Sequence, residues 1–166
     1  MRIIAALEVD LESAPIGTTS RLAYALLGER VLRRTLARLA RCETLDGVFL
    51  LCRPEQREGV ASLAAGFDVR VEAHDGGPAP QEALVRSARK WALDGWRGGI
   101  GGACGFDEYA HPAVLASLAR REEAEAVVVV PPGAVLVDPK LIDAMVAQYI
   151  EIRETMRMCF TPAPVG

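Results

Sequence analysis

The sequence predicts an α/β protein of three layers, α/β/α, in which helices cover both faces of a mainly parallel β-sheet. Three observations carry this prediction. Short apolar runs alternate with longer amphipathic segments along the chain. One apolar run, VVVV at 127–130, is β-branched throughout, which is typical of a strand covered on both faces. The segments between successive strands are long enough to hold a helix, as a parallel connection requires.

The first half of the chain supplies three predicted strands, at 2–7, 47–52 and 67–73. A helix is predicted over 30–41, with its apolar side chains on one face and arginines on the other. A second helix is predicted over 54–65, because Pro54 suits a first helical turn. The residues expected to face inward from the first helix are Val31, Leu32, Thr35, Leu36, Leu39 and Ala40.

The second half repeats the alternation after a turn-rich break, HDGGPAP. Helices are predicted over 81–93 and 111–121, and strands over 124–130 and 156–161. Asp138 followed by Pro139 predicts the start of a further helix, because an N-cap residue stands before a proline. The residues expected to face inward from that helix are Leu141, Ile142, Met145, Val146, Tyr149 and Ile150.

Length and composition indicate one globular domain over residues 1–166 and exclude several classes of protein. The 17.8 kDa chain is 51% hydrophobic and 25% charged, which argues against intrinsic disorder. A net charge of −3 argues against a nucleic-acid or membrane partner. No segment is typical of a signal peptide or a membrane span, so we expect a cytoplasmic protein. The cysteines show no metal-ligand or disulfide spacing, so we expect reduced thiols at Cys42, Cys52, Cys104 and Cys159.

Four loops follow predicted strands and are candidate ligand sites, because ligands bind at the carboxyl ends of parallel strands. They span 8–20, 74–80, 96–105 and 131–137. The first ends in hydroxyls and one guanidinium that suit phosphate oxygens, with Thr18 beside the predicted nucleotide-binding residues Thr19, Ser20 and Arg21. It holds one glycine, so it is neither a Rossmann fingerprint nor a P-loop.

Three acids precede that hydroxyl cluster, namely Glu8, Asp10 and Glu12. They would repel a polyphosphate unless a metal or Arg21 intervened. The alternative interpretation of the segment is a solvated connector.

The third loop, WRGGIGGACG, is rich in glycine, which lets backbone amides approach an anion. Asp107, shortly after it, is the candidate metal ligand. The alternative is an ordinary turn. His74 and His111 are expected only to flank their elements, since an isolated histidine is weak support for acid–base chemistry. The predicted nucleotide-binding residues of this loop are Arg97, Gly98, Gly99, Gly101 and Gly102.

The order of the motifs resembles a known family. RIIAAL is followed by TTSRL and ALLGERVLRRTLARL, then by RGG and FDE, and finally by VVVVPPGAVLVDPKLIDAMV. This order is similar to the nucleotidyltransferase branch of the nucleotide-diphospho-sugar transferase (GT-A) fold. Within that branch it resembles the CMP-KDO synthetases and the SpsF-like proteins of spore-coat polysaccharide synthesis. The likeness extends over nearly the whole chain.

The resemblance implies a domain that binds a nucleoside triphosphate or nucleotide-sugar with Mg²⁺. It implies transfer of the nucleotide to a sugar or sugar acid, as in cell-surface polysaccharide biosynthesis, and a homodimer. The chain is expected to lack the family's C-terminal, dimer-forming part.

Two departures from the family pattern support an alternative. The family's phosphate-binding lysine has no counterpart, because Ala23, Tyr24 and Ala25 follow Leu22. The metal-binding aspartate also has no counterpart beside Gly133. Because cations stabilise the departing pyrophosphate, losing both removes a large electrostatic contribution. The alternative is therefore a catalytically impaired binding or docking module, or the first part of a larger protein.

Overall fold

A computed structural model describes residues 1–14, 19–75 and 111–155. The predicted helix at 81–93 and strand at 156–161 lie outside these residues. A short 3₁₀ turn, Pro54–Gln56, precedes the second helix. In chain order the elements are β1 (Ile3–Glu8), β2 (Ala25–Leu26), β3 (Glu29–Arg30), α1 (Val31–Leu39), β4 (Gly47–Cys52), α2 (Arg57–Ala64), β5 (Arg70–Ala73), α3 (Pro112–Arg121), β6 (Ala126–Val129) and α4 (Pro139–Ile152).

The main sheet has four strands in the order β5-β4-β1-β6, and every pairing is parallel. Ile4 of β1 lies opposite Gly47 on one side and Val127 on the other. The predicted parallel sheet is therefore confirmed. All four strands end on one side, which we call the carboxyl edge, and begin on the other, the amino edge.

Alternate residues of β1 face opposite layers of the molecule, as the pleat of a strand requires. Ile3 and Leu7 belong to a core with α1, α2 and α4. Ile4 and Ala6 belong to a second core with Leu118 of α3. Helices thus cover both faces of the sheet, and the predicted three-layer α/β/α architecture is confirmed.

The periodicity of α1 correctly identified its inner face. Leu32, Thr35, Leu36 and Leu39 are all buried. Ala40 is exposed, contrary to the prediction, because the helix ends at Leu39.

The predicted start of α4 is confirmed, since an Asp138 Oδ1 atom accepts a 3.0 Å hydrogen bond from the Lys140 backbone N–H. Its predicted inner face was too wide. Ile142 and Val146 are buried, but Leu141 and Ile150 are 49% and 41% exposed. In the described residues α4 packs through one narrow stripe, and Leu141 lies about 100° around the helix from Ile142.

Two further predictions need correction. The strand predicted over 67–73 begins only at Arg70, because a turn around Gly66, with φ +89°, occupies the preceding residues. The β2–β3 hairpin was not predicted, because Leu27 stands where a two-residue turn normally has Asn, Asp or Gly. None of the helices in the described residues combines the length and apolar content needed to cross a bilayer.

Candidate functional site

A carboxylate–histidine pair lies at the carboxyl edge of the sheet. Glu8 is the last residue of β1, and His111 is the residue before the first turn of α3. The Glu8 Oε2 atom lies 2.5 Å from His111 Nδ1, and Oε1 accepts a 2.5 Å hydrogen bond from the His111 backbone N–H. Both side chains are mostly buried, at 13% and 19% exposure. Glu8 therefore attaches the start of α3 to the end of β1.

A second histidine adjoins this pair. The ring of His74, directly after β5, lies 5.1 Å from that of His111, with the planes tilted by 51°. Burial lowers the pKa of His74, and His111 lowers it further, against the opposing effects of Glu8 and Asp75. His74 is therefore neutral at pH 7.

Sequence reasoning placed both histidines correctly beside their elements but did not predict that they meet. The available indication was position, since Glu8 and His74 each stand where a parallel strand ends. His111 joins them because α3 begins on the same side of the sheet.

The loop after β1 is folded around Asp10. Its Oδ1 atom accepts hydrogen bonds from the backbone N–H groups of Glu12 (2.8 Å) and Ser13 (3.0 Å) and from Gln56 Nε2 (3.0 Å). Burial raises the pKa of Asp10, but these hydrogen bonds, together with Arg53, outweigh it and hold the pKa below its usual value. The loop is therefore an ordered structure at this point.

Arg53 partly offsets the charge of two acids of this loop. Its Nη2 atom lies 3.2 Å from Asp10 Oδ1 and 2.9 Å from Glu12 Oε2. The sequence led us to expect a metal or Arg21 to offset these charges, and the described structure places the arginine that follows β4 there instead. This contact depends on the β4–β1 pairing, so the local sequence does not indicate it.

Three of the predicted phosphate-binding residues are described, and their side chains differ in availability. Thr19 is exposed and forms a β-bridge with Ser13. Ser20 is only 5% exposed, and its Oγ atom accepts a 3.5 Å hydrogen bond from the Leu22 N–H. Arg21 is exposed, and its guanidinium makes no hydrogen bond or ion pair within the described parts of the chain. Among the described members of the predicted set, Arg21 is therefore the cation that is available to a ligand.

Leu22 fixes Arg21 at the carboxyl edge. Its side chain is 8% exposed and belongs to the core shared by α1, α2 and α4. A Cβ atom added to Gly133, in the loop after β6, would lie 3.9 Å from Leu22 Cδ2. The loops after β1 and β6 therefore pack together beside Arg21.

The other half of the predicted site lies outside the described residues. This applies to Thr18 and to the glycine-rich loop. It also applies to the candidate metal ligand Asp107. The predictions for these residues remain predictions, and they concern Thr18, Arg97, Gly98, Gly99, Gly101, Gly102 and Asp107.

The carboxylates near the carboxyl edge are engaged within the fold in the described residues. Among residues 1–14, 19–75 and 111–155, no group of three or more His, Cys, Asp or Glu side chains is arranged to hold a metal. The carboxylates of Glu8, Asp10 and Glu12 are engaged by His111, backbone N–H groups and Arg53. Asp138 caps α4. These carboxylates therefore hold the fold together and are not arranged as metal ligands.

A cavity of about 360 Å³ extends from His74 along α3. Its polar lining includes Asp75, Ser117 and the ion-paired Glu72 and Arg121. Its volume lies near the lower end of the range for pockets that enclose small-molecule ligands, about 300–1,000 Å³.

Comparison with known proteins identifies the fold. No family model matches the sequence. No curated protein matches it either. Among solved structures, the chain is similar to a cytidylyltransferase from Leptospira borgpetersenii serovar Hardjo-bovis, with a TM-score of 0.60 and 15% identity over 91% of this chain and 50% of that chain.

Two further solved structures are similar to the chain over most of its length. One is a CMP:2-keto-3-deoxy-manno-octonic acid synthetase complexed with CTP, with a TM-score of 0.57 and 8% identity over 91% of this chain and 48% of that one. The other is a 4-diphosphocytidyl-2C-methyl-D-erythritol synthase, with a TM-score of 0.53 and 15% identity over 99% of this chain and 65% of that one. The chain thus spans about half to two thirds of the length of these proteins and shares their fold.

Proposed function

We propose that this domain binds a pyrimidine nucleoside triphosphate at the carboxyl edge of its sheet, in front of the ends of β1 and β6. The observation that carries the proposal is the position of Arg21. Its guanidinium is exposed and unpaired within the described residues, and it follows a loop that Asp10 and Ser20 hold in place. A guanidinium in this setting suits a phosphate, because it donates two parallel hydrogen bonds to the oxygens.

Three other features support the proposal. Arg53 offsets the charges of Asp10 and Glu12, which reduces their repulsion of a polyphosphate. Parallel sheets bind ligands at this edge. The structures with the same fold include one complexed with CTP, which favours cytidine as the first nucleoside to test.

The test is calorimetric titration of the chain with CTP, UTP, ATP and GTP, with and without Mg²⁺. We expect CTP to bind most tightly, and Arg21→Ala to weaken it at least about tenfold, as for loss of one charge-assisted contact. Arg41→Ala is the matched control. Arg41 is also exposed and makes no side-chain contact within the described residues, but it follows α1 on the amino side. The absence of saturable nucleotide binding, or equal losses in both variants, would contradict the proposal.

Binding without transfer is favoured over an active transferase by two features of the described edge. The segment after Arg21 carries no lysine before Arg30, and the first carboxylate after β6, Asp138, is used as the cap of α4. The absence of a lysine reduces the positive charge near a departing pyrophosphate. The use of the carboxylate as a helix cap reduces the metal binding that could assist its departure.

The active alternative is transfer of the nucleotide to a sugar or sugar acid. A hydroxyl of the acceptor would attack the α-phosphorus, and pyrophosphate would leave with the electrons of the broken P–O bond. Measurement of pyrophosphate release from CTP in the presence of a panel of sugar acids distinguishes binding alone from nucleotide transfer. Release that depends on Arg21 would establish transfer and overturn the binding-only assignment. The active alternative also includes a homodimer, which sedimentation tests, and a role in surface-polysaccharide synthesis.

A further inference from the structure

An apolar side chain stands at the tip of the β2–β3 hairpin in a backbone conformation that suits it poorly. The two tip residues, Leu27 and Gly28, have φ of +50° and +83°. Positive φ at both positions is typical of a type I′ turn, in which Asn, Asp or Gly fills the first position. A leucine there is strained, and Leu27 is also 89% exposed.

The hairpin is held firmly against α1. Arg34 donates hydrogen bonds from Nε to the Leu26 carbonyl (2.7 Å) and from Nη2 to the Leu27 carbonyl (2.8 Å). Arg30 donates to the Ala23 carbonyl. The fold therefore presents the tip in one position.

Two neighbours extend the apolar tip. Leu26 is 41% exposed and Tyr24 is 56% exposed. Together with Leu27 they form a small apolar projection, which we call the hairpin tip. A strained residue that adds nothing to the core points to a contact outside the fold.

Positive charge is concentrated around the hairpin tip. Three arginines and a single glutamate lie in the segment 24–34, which holds the hairpin and the first turn of α1, although the chain as a whole has a net charge of −3. The guanidinium groups of Arg30 and Arg34 contact neutral carbonyls, whereas Arg33 pairs with Glu29, so the segment keeps a net positive charge. The average charge of the chain therefore conceals a strongly basic segment.

We propose that the hairpin tip docks on an anionic lipid surface. The side chains of Leu26 and Leu27 would enter the boundary between headgroups and acyl chains, with Tyr24 at the level of the headgroups. The arginines of the segment would contact lipid phosphates. The overall charge of −3 opposes a broad attraction to such a surface, so the attraction is confined to this segment.

Charge and size argue against a second copy of the chain, or another protein, as the occupant of the hairpin tip. A second copy docked tip to tip would bring the same arginines together, and like charges repel. A specific protein interface buries about 800 Å² on each partner, more than three partly exposed side chains supply. A fluid lipid surface needs no matching pocket, so a small projection with flanking cations is sufficient.

The experiment measures flotation of the full chain with vesicles of phosphatidylcholine alone, or of phosphatidylcholine and phosphatidylglycerol in equal amounts. We expect binding to the mixed vesicles only, with loss of binding as salt rises. Leu27→Asn should reduce the bound fraction at least about tenfold by removing the apolar contact. Because asparagine tolerates positive φ, this variant should be at least as stable as the parent, which urea unfolding verifies.

The matched control is Leu136→Asn. Leu136 is 81% exposed in the loop before α4, outside the basic segment. This variant should bind mixed vesicles as the parent does. Equal binding by Leu27→Asn, an equal loss in Leu136→Asn, or equal binding to neutral vesicles would overturn the proposal. Self-association of the parent that Leu27→Asn abolishes would also overturn it, because it would assign the hairpin tip to a second copy.

Discussion

The two edges of the sheet use their charged residues differently. On the amino side, an Asp46 Oδ2 atom accepts a 2.7 Å hydrogen bond from the Ile3 N–H, and Glu122 pairs with Arg2 and Arg70. Asp143 of α4 accepts hydrogen bonds from the Glu43 N–H, the Thr44 N–H and the Thr44 hydroxyl, in the segment that leads into β4. At the carboxyl edge Glu8 and Asp10 are also engaged, but Arg21 is exposed and unpaired within the described residues.

This difference separates residues that stabilise the fold from a residue that is available to bind a ligand. Polar groups on the amino side connect elements of the fold to one another, so their removal should cost stability alone. The carboxyl edge contains both kinds of residue, because loops must be held in place before one side chain can be left available for a ligand.

The largest effect is expected at the carboxyl edge itself. Glu8→Ala should lower the free energy of unfolding by about 3 kcal/mol, because two hydrogen bonds to a mostly buried carboxylate are lost. Urea denaturation measures it. Glu12→Ala is the control and should cost less than about 1 kcal/mol, since Glu12 is 67% exposed. Equal costs would show that Glu8 does not hold α3.

Asp143→Ala should lower the free energy of unfolding by about 2 kcal/mol, because the N–H groups of Glu43 and Thr44 lose their acceptor. Nucleotide affinity should not change, because this residue belongs to the amino side. Asp68→Ala, an exposed carboxylate without a side-chain contact in the described residues, should be neutral. A change in affinity with Asp143→Ala would contradict the division between the edges.

Thr35→Val should raise the free energy of unfolding by about 1 kcal/mol. Thr35 is fully buried in α1, and its hydroxyl has no hydrogen-bond partner among the described residues. Valine has the same shape and removes the cost of burying that group. Thr44→Val is the matched opposite, since the Thr44 hydroxyl donates a 2.6 Å hydrogen bond to Asp143. Thr44→Val should lower the free energy of unfolding. If both variants raised it, hydrogen bonding of the hydroxyl would not be the cause of the change.

Acid should remove part of the stability from both edges. Burial raises the pKa of Asp10 and Asp143, but hydrogen bonds outweigh it, and both folded-state values lie below the ordinary one. Their contribution is therefore complete above about pH 4 and is lost as pH falls through the lowered values. The Asp10→Asn/Asp143→Asn double variant should show a shallower loss of stability below pH 4. An unchanged slope in urea titrations would contradict this.

The smallest effect concerns a thiol on the amino side. Burial, together with the nearby carboxylates of Asp143 and Asp138, raises the pKa of Cys42 to about 11. Alkylation of Cys42 by iodoacetamide at pH 8 should be much slower in the folded chain than in urea, because little thiolate is present. Peptide mapping resolves it from the other cysteines. Equal rates in the two states would show that the site is open.

Periodicity predicted the parts of the structure that depend on local pattern. It identified the inner face of α1 at Leu32, Leu36 and Leu39, and Asp138-Pro139 marked the start of α4. It overestimated the inner face of α4, because the width of a buried stripe depends on which neighbours lie against the helix. It did not predict the hairpin, because Leu27 departs from normal turn chemistry.

The amino-acid pattern alone was sufficient to predict that strands and helices alternate, that the sheet is parallel, and that Arg21 lies near its carboxyl edge. It was not sufficient to predict that His111 contacts both Glu8 and His74, or that Arg53 offsets Asp10, because these contacts form in the folded chain. The physical reason is the range of the interactions. Hydrophobic period and capping act between residues a few positions apart, whereas these contacts join residues that come together only once the strands have paired.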